Sequence, residues 1–296
     1  MFSPLFKGLT KVLSGARRLG RRPIWSYSVD GVIWRILPAE AGLLVGEARN
    51  LQSKTASFFC LDRRTGRPLW ENTVLPEPWW VGIEAIHGGI LFLHGFASPE
   101  MPARRGITAL DLRTGAMLWS SAESEAVGIR PETLLAVRGR FPHREVVELD
   151  ARTGAVRGAQ PADEETFETL RHIQGPSVSP EVLYPLPLGE DESSGRLRRH
   201  LLGHWKSLAG VESIERIAHE TADVVLIHER VPAGGEMLLK AAVAVLEPRT
   251  GALLYRSTVD SGLRRPVPDA CCVCDGVLYF LRERTTLVAI DLVSST

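Results

Sequence analysis

The sequence has no excess of charge of either sign: 35 basic side chains stand against 35 acidic ones in 296 residues. Without a basic surplus it lacks the term that supplies most nucleic-acid affinity, so no nucleic-acid partner is expected. Cysteines are few: Cys60, Cys271, Cys272 and Cys274. Cys271 and Cys274 form a C-x-x-C, but no second C-x-x-C and no H-x₃-H supplies the other half of a zinc site. The run lies in an apolar, strand-like stretch from Ala270 to Leu281, where thiols are expected to be buried and inert. Four unpatterned cysteines fit a reducing, cytoplasmic compartment. No apolar run approaches the roughly 20 residues of a membrane-spanning helix. Gly-rich phosphate loops and Gly-x-Ser-x-Gly are absent. His94, His200 and His204 have no carboxylate or cysteine at metal-ligand spacing. The expectation is a protein without cofactor, metal or catalytic residues.

What the sequence does contain is a repeat. Cys60-Leu61-Asp62-Arg63-Arg64-Thr65-Gly66-Arg67-Pro68-Leu69-Trp70 recurs as Ala109-Leu110-Asp111-Leu112-Arg113-Thr114-Gly115-Ala116-Met117-Leu118-Trp119. Glu148 to Gly154 is a third copy, with Gly158 where the aromatic should stand. Val245 to Tyr255 is a fourth, and Ala289-Ile290-Asp291-Leu292-Val293 a truncated fifth. Each phrase is a hairpin: an apolar strand arrives, Asp, Thr and Gly turn it, and an aromatic on the departing strand packs against a neighbouring sheet. Two more strand-like runs precede most copies. Four short strands per repeat make a propeller blade.

The fold class expected is therefore all-β, a closed β-propeller of four-stranded blades. The gap between positions 150 and 247 is about twice the other spacings. One degenerate blade, or an insertion, is expected at 161–212, giving about six blades, or five with an insertion. Residues 189–207 read as a polar, charged loop. The final copy lacks its outer strand, and Arg22-Pro23-Ile24-Trp25-Ser26-Tyr27-Ser28-Val29 repeats the pattern of Arg67 to Val74. Residues 22–29 are expected to latch onto the last blade and close the ring of residues 22–296.

The A-x-D-x-x-T-G-x-x-x-W phrase resembles the repeat of pyrroloquinoline-quinone-type propellers, which include quinoprotein dehydrogenases and outer-membrane-barrel assembly lipoproteins. That resemblance implies fold and leaves function open. The dehydrogenases resemble eight-bladed rings, longer than this chain. Their vicinal cysteine pair has a counterpart in Cys271-Cys272, without an accompanying calcium-ligand pattern. The lipoproteins carry a signal peptide with a lipidated cysteine, which the amino terminus does not match. The whole chain also resembles an uncharacterised bacterial family, a domain of unknown function, through Trp79-Trp80-Val81-Gly82, the run Leu93 to Pro102, and Gly106-Ile107.

Residues 1–21 read as a basic amphipathic helix ahead of the ring. Phe2, Leu5, Phe6, Leu9, Val12, Leu13 and Ala16 share one face at the helical period. Lys7, Lys11, Arg18 and Arg22 lie opposite, flanked by Arg17 and Arg21, with no acid in the segment. Lys7 and Lys11 interrupt any secretory core. Three placements stay open: on an anionic membrane surface, in a partner's groove, or against the propeller itself.

The ends of the second strands form a further pattern. Arg49, Arg140, Arg230 and Arg284 take equivalent positions there, so in a propeller they gather on the face opposite the Asp-Thr-Gly turns. Arg's planar fork suits an acidic protein, phosphate or carboxylate there. The alternative is pairing with Glu47, Glu229 and Glu283 between blades. Trp79 and Trp80 are a second contact candidate, with interblade packing as the alternative. The functional expectation is a non-enzymatic interaction scaffold or accessory subunit with a protein partner. It would be peripheral to the inner membrane face if the helix meets lipid. The alternative is a small-ligand-binding or hydrolytic propeller with its site in the central channel.

Overall fold

The computed structural model describes residues 20–98, 101–140, 143–163, 182–205, 208, 210–267 and 270–294, and the side chains of 97, 98, 101–103 and 140 lie outside that description. The expected helix of residues 1–21 falls almost wholly outside the described residues.

After β1 (Pro23–Ser28), the chain folds as antiparallel meanders. The first sheet comprises β2 (Val32–Ala39), β3 (Leu43–Asn50), β4 (Thr55–Asp62) and β5 (Pro68–Thr73). The second comprises β6 (Val81–His87), β7 (Ile90–Ser98), β8 (Met101–Asp111) and β9 (Met117–Ser121). The third comprises β10 (Glu125–Arg130), β11 (Thr133–Arg140), β12 (His143–Asp150) and β13 (Val156–Pro161). Two short strands, β14 (Val182–Leu183) and β15 (Leu186–Pro187), precede the helix α1 (Glu192–Leu202). The fourth sheet is β16 (Val211–His219), β17 (Ala222–Ala233), β18 (Glu236–Leu246) and β19 (Leu253–Leu263). The fifth is β20 (Cys271–Cys274), β21 (Val277–Arg282) and β22 (Thr286–Asp291), with β1 hydrogen-bonded along β22 from Pro23↔Ile290 to Ser28↔Thr286. The architecture is all-β and propeller-like.

Alternating side chains cover both faces of the middle strands, so successive sheets stack through continuous apolar seams. Phe58 and Val45 of the first sheet meet Leu91 and Ile83 of the second. Phe92 and Ile107 of the second meet Leu134 and Val147 of the third. Leu226 and Val243 of the fourth meet Phe280 and Val288 of the fifth. Tyr279 and Leu287 of the fifth return to Leu44 and Phe59 of the first. All four cysteines are buried within these seams, and burial pushes the Cys60 thiol up to about 12.

The Asp-Thr-Gly turns do two jobs. Asp62 Oδ1 accepts the Thr65 amide and hydroxyl at 2.8 and 2.7 Å, and the pattern recurs at Asp111–Thr114, Asp150–Thr153 and Glu247–Thr250. The turn glycine then adopts a left-handed φ near +70° and lies bare beneath an indole from the preceding sheet. A Cβ on Gly66 would stand 2.5 Å from the Trp25 ring, on Gly115 2.8 Å from Trp70, and on Gly154 2.7 Å from Trp119. Each indole Nε1 donates to a carbonyl of the same turn: Trp25 to Arg63, Trp70 to Leu112, Trp119 to Ala151. This explains why the repeat couples T-G to a Trp: the two belong to different sheets.

The stretch from 182 to 205 corrects one expectation and bears on another. Its described residues form no further four-stranded sheet. β14 pairs with β20 and β15 with β16, so this segment extends the first-strand edges of the fifth and fourth sheets. Residues 192–202, expected within a polar loop, are helical. Asp191 caps the helix by accepting the Ser194 amide, and Leu197 and Leu201 bury against Val225, Ile227 and Leu246 of the fourth sheet. Its charges face outward while two leucines at i, i+4 spacing suffice to dock it. His200 then covers Gly251, and His204 Nε2 lies 2.7 Å from the Gly251 carbonyl. The helix thus occupies the position that an indole holds at the other turns.

Candidate interaction surface

In each sheet the second strand starts opposite the turn acid, as in Leu43↔Asp62 and Thr133↔Asp150, and runs away from it. The four arginines, in or just beyond the later part of these strands, therefore lie away from the turns. They are not register equivalents. Counted from the residues facing the turn acids (Leu43, Thr133 and Val277), Arg49 comes one residue earlier than Arg140 and Arg284. A one-residue slip reverses the face a strand side chain takes.

Arg49 is the centre of what does assemble. Its Nε donates to Glu47 Oε1 at 2.6 Å, its Nη1 to the Trp79 carbonyl at 3.0 Å and its Nη2 to the Val81 carbonyl at 2.5 Å. Glu47 is only 2% exposed and also accepts the Ile83 amide. The Arg49 guanidinium lies 5.0 Å from the Trp79 ring centroid and 5.5 Å from that of Trp34. Lys54 Nζ approaches the same Trp79 ring at 5.0 Å, and the Arg284 guanidinium approaches Trp34 at 5.8 Å. Arg284, Trp34, Arg49, Trp79 and Lys54 form an alternating ladder of cations and indoles across three successive segments of the fold. Each contact of this kind contributes about 0.5–1 kcal/mol at exposed sites.

Trp34 was not among the residues singled out in the sequence. The β2–β3 register shifts between Ile33 and Arg35, leaving Trp34 as a bulged residue. Ile33 points into the core while Trp34 remains 57% exposed. A tryptophan inside an apolar strand gives no sign of a bulge, although a Trp-Arg pair flanked by buried isoleucines is the trace it leaves.

The remaining expected contact residues disperse. Arg230 pairs with Glu212 on the adjoining strand at 2.6 Å and takes no part in the ladder. Arg140 closes the β11–β12 pairing opposite His143, and its side chain lies outside the described residues. Trp80 is exposed and packs edge-on to Phe96, with Glu77 accepting the backbone amides of Trp79 and Trp80 at 3.0 Å each. Thus Arg49, Arg284 and Trp79 come together. Arg49 pairs with Glu47 of its own strand rather than with a glutamate of a neighbouring sheet.

Beside the ladder, Glu84 Oε1 accepts from Arg104 at 2.8 Å, while Glu84 Oε2 and His94 Nδ1 lie 3.0 Å apart, both buried and without a hydrogen-bond partner. His94 lines a cleft of about 230 Å³ with Glu77, Arg105, Thr108 and Ser121. A charged cleft of about 330 Å³ lies between the second and third sheets, lined by Arg104, Arg105, Glu123, Glu125 and Arg144. Among the described residues no group of three His, Cys, Asp or Glu could hold a metal ion, and no helix is long and apolar enough to cross a membrane.

The family described as "Domain of unknown function (DUF4905)" matches residues 38–119, from the end of β2 into β9. No curated protein matches the chain. Among solved structures, the Dos1 propeller is similar over 88% of this chain and 68% of its own, at 10% identity and a TM-score of 0.30. A eukaryotic initiation factor is similar over 91% of this chain and 54% of its own, at 9% identity and 0.31. The β-propeller domain of the Trilobed protease from Pyrococcus furiosus is similar over 86% of this chain and 78% of its own, at 10% identity and 0.31. The chain spans about half the length of the second of these. The matched region contains Arg49 and Trp79 of the ladder, and Trp34 lies just before it.

Proposed function

We propose that this chain is a non-enzymatic interaction module, an accessory or assembly subunit that receives a partner protein on its ladder-bearing end. The sheets would close into a propeller ring, with β1 as the latch and α1 sealing the remaining junction. The pairing of β1 with β22 and the helix over Gly251 support that closure.

The carrying observation is the ladder itself. Trp34 is a large aromatic left more than half exposed beside two arginines, at the end of the fold away from the structural turns. Tryptophan and arginine supply most interface hot spots, because they bury large areas while satisfying polar groups. Affinity purification of full-length protein tests the reading. A near-stoichiometric partner should co-purify with the native chain and with Arg152→Ala at the turn end. It should be lost with Trp34→Ala. Retention by Trp34→Ala removes the reading.

The basic segment of residues 1–21 fits the same role as an anchor to an anionic membrane or to the partner. Flotation with anionic vesicles, with and without residues 2–20, separates those outcomes.

A second reading is favoured by one observation. Glu84 Oε2 and His94 Nδ1, 3.0 Å apart at the 230 Å³ cleft, are buried polar atoms without a hydrogen-bond partner, the kind of group that a small ligand would satisfy. A ligand there would be perturbed by His94→Gln and left unaffected by Trp34→Ala.

A further inference from the structure

The hairpin between β21 and β22 carries features that the fold does not require. Glu283 and Arg284 both adopt left-handed backbone, at φ 52° and 53°, where hairpins ordinarily use Asn and Gly. The turn is strapped to both neighbours. Ile33 of the first sheet donates to the Arg284 carbonyl, and Glu283 donates to the Val259 carbonyl of the fourth sheet, each at 2.6 Å. The amide of Val29 donates to Thr285 O at 3.0 Å. This clamping fixes the direction in which Arg284 leaves the backbone.

The guanidinium is delivered to the face of Trp34 with its Nε buried and without a hydrogen-bond partner. A buried donor left unmade is costly, and a charged one more so. No carboxylate of the described residues forms an ion pair with Arg284, whereas Arg49 beside it is neutralised by Glu47. The ladder therefore carries uncompensated positive charge at Arg284 and Lys54, on either side of a satisfied centre. The chemistry missing from this place is an oxyanion with two acceptor oxygens, matched to a planar fork.

We propose that Arg284 is a carboxylate-binding anchor. An Asp or Glu side chain of the partner would dock on its guanidinium while the adjacent partner residue covers the exposed ring of Trp34. This rests on the interaction-module reading and names the chemistry of its partner: an acidic peptide segment. A carboxylate is favoured over a lipid phosphate because the anchor sits beside an exposed indole on a rigid sheet edge. A second acid would fall within reach of Lys54 at the far end of the same ladder.

The test uses full-length protein and a fluorescently labelled deca-glutamate peptide, read by anisotropy at low ionic strength, with total tryptophan emission as a second signal. Binding should change that emission in the native chain and not in Trp34→Ala. Arg284→Gln should weaken binding at least tenfold while the thermal midpoint stays near that of the native chain. Arg284→Lys should recover part of the loss, and Arg230→Ala should remain within twofold. Deca-lysine should not bind. Equal affinity of native and Arg284→Gln proteins would overturn the proposal. So would competition by inorganic phosphate or anionic vesicles stronger than that by free glutamate peptide, which would assign the anchor to phosphate. If Trp34→Ala abolishes the co-purifying partner while Arg284→Gln leaves peptide binding intact, the surface stands and the carboxylate anchor falls. If both variants are silent in both assays, the module reading falls with it.

Discussion

Two kinds of lock cover the turn glycines where neighbouring sheets meet in this chain. From the fifth sheet through the first and second to the third, each turn glycine is covered by an indole that also donates to that turn. At the fourth sheet the cover is a two-turn docking of α1, with His200 over Gly251 and His204 at its carbonyl. The next junction uses neither device. Tyr255 packs on Phe280 at 5.9 Å, and buried His228 accepts the Val267 amide at 3.1 Å. An indole lock is one residue that fills space and satisfies a carbonyl at once. The helix lock spreads the same task over a segment that must itself be ordered first. The lesson is that a repeat can lose its signature residue and keep its geometry, provided another element arrives at the bare glycine.

The largest expected difference separates these devices. Trp70→Ala removes a packed ring and a hydrogen bond from between two rigid sheets, and should cost about 3 kcal/mol. His200→Ala uncovers Gly251 while Leu197 and Leu201 keep the helix docked, and should cost about 1 kcal/mol. Equilibrium denaturant unfolding of the two variants measures both. Equal losses would mean that the helix is as integral to its sheet as an indole.

His228 sharpens the third device. Val267 donates to its Nε2, so the proton sits on Nδ1, facing Ser213 Oγ at 2.9 Å. Desolvation holds its folded pKa below the ordinary histidine value. A depressed imidazole contributes stability that is fully present above about pH 6.5 and is lost as pH falls below that value towards its folded pKa. Thermal midpoints should therefore decline from pH 7 to pH 5. In His228→Leu, which leaves the Val267 amide unpaired at a cost of about 2 kcal/mol, that particular slope should vanish. A slope unchanged by the substitution would assign it to other groups.

Gly158 tests the comparison in reverse. It stands where the third repeat lacks its aromatic, and a Cβ there would meet nothing closer than Glu148 at 3.9 Å. Gly158→Trp should be tolerated within about 0.5 kcal/mol, because no turn glycine awaits the ring. Clear stabilisation would reveal a receptor for it.

Much of this was legible in the sequence because turn chemistry is local. Asp62, Thr65 and Gly66 specify their hairpin whatever surrounds it, and Trp25 announced the pairing of β1 with β22 by matching Trp70. The helix was hidden because Gly195 and a run of charges masked a docking face of only Leu197 and Leu201. Capping by Asp191 was the readable hint. The ladder was half legible. Arg49, Arg284 and Trp79 carry strand-end positions, but Trp34 reaches the surface through a bulge, and a bulge is set by pairing with β3 rather than by β2 alone. Arg230 does not join because it pairs with Glu212 on the adjoining strand, a partner that its own strand does not reveal.

The smallest effect probes the turns that the indoles cover. The Thr153 hydroxyl and amide, with Arg157, lower the Asp150 carboxyl to about 2. A depressed carboxylate contributes stability present above its ordinary value near 4 and lost as pH falls towards 2. Thr153→Val deletes the hydroxyl donor while keeping the side-chain shape. The Asp150 titration, followed by carboxyl NMR, should move up towards the ordinary aspartate range, and the loss of stability on acidification should begin at higher pH. Glu247, held in the same way by Thr250 beneath the helix, should titrate unchanged, since its turn belongs to the other kind of junction. A parallel shift at Glu247 would mean that the two classes of lock communicate through the sheets, and that the comparison describes one cooperative unit rather than two.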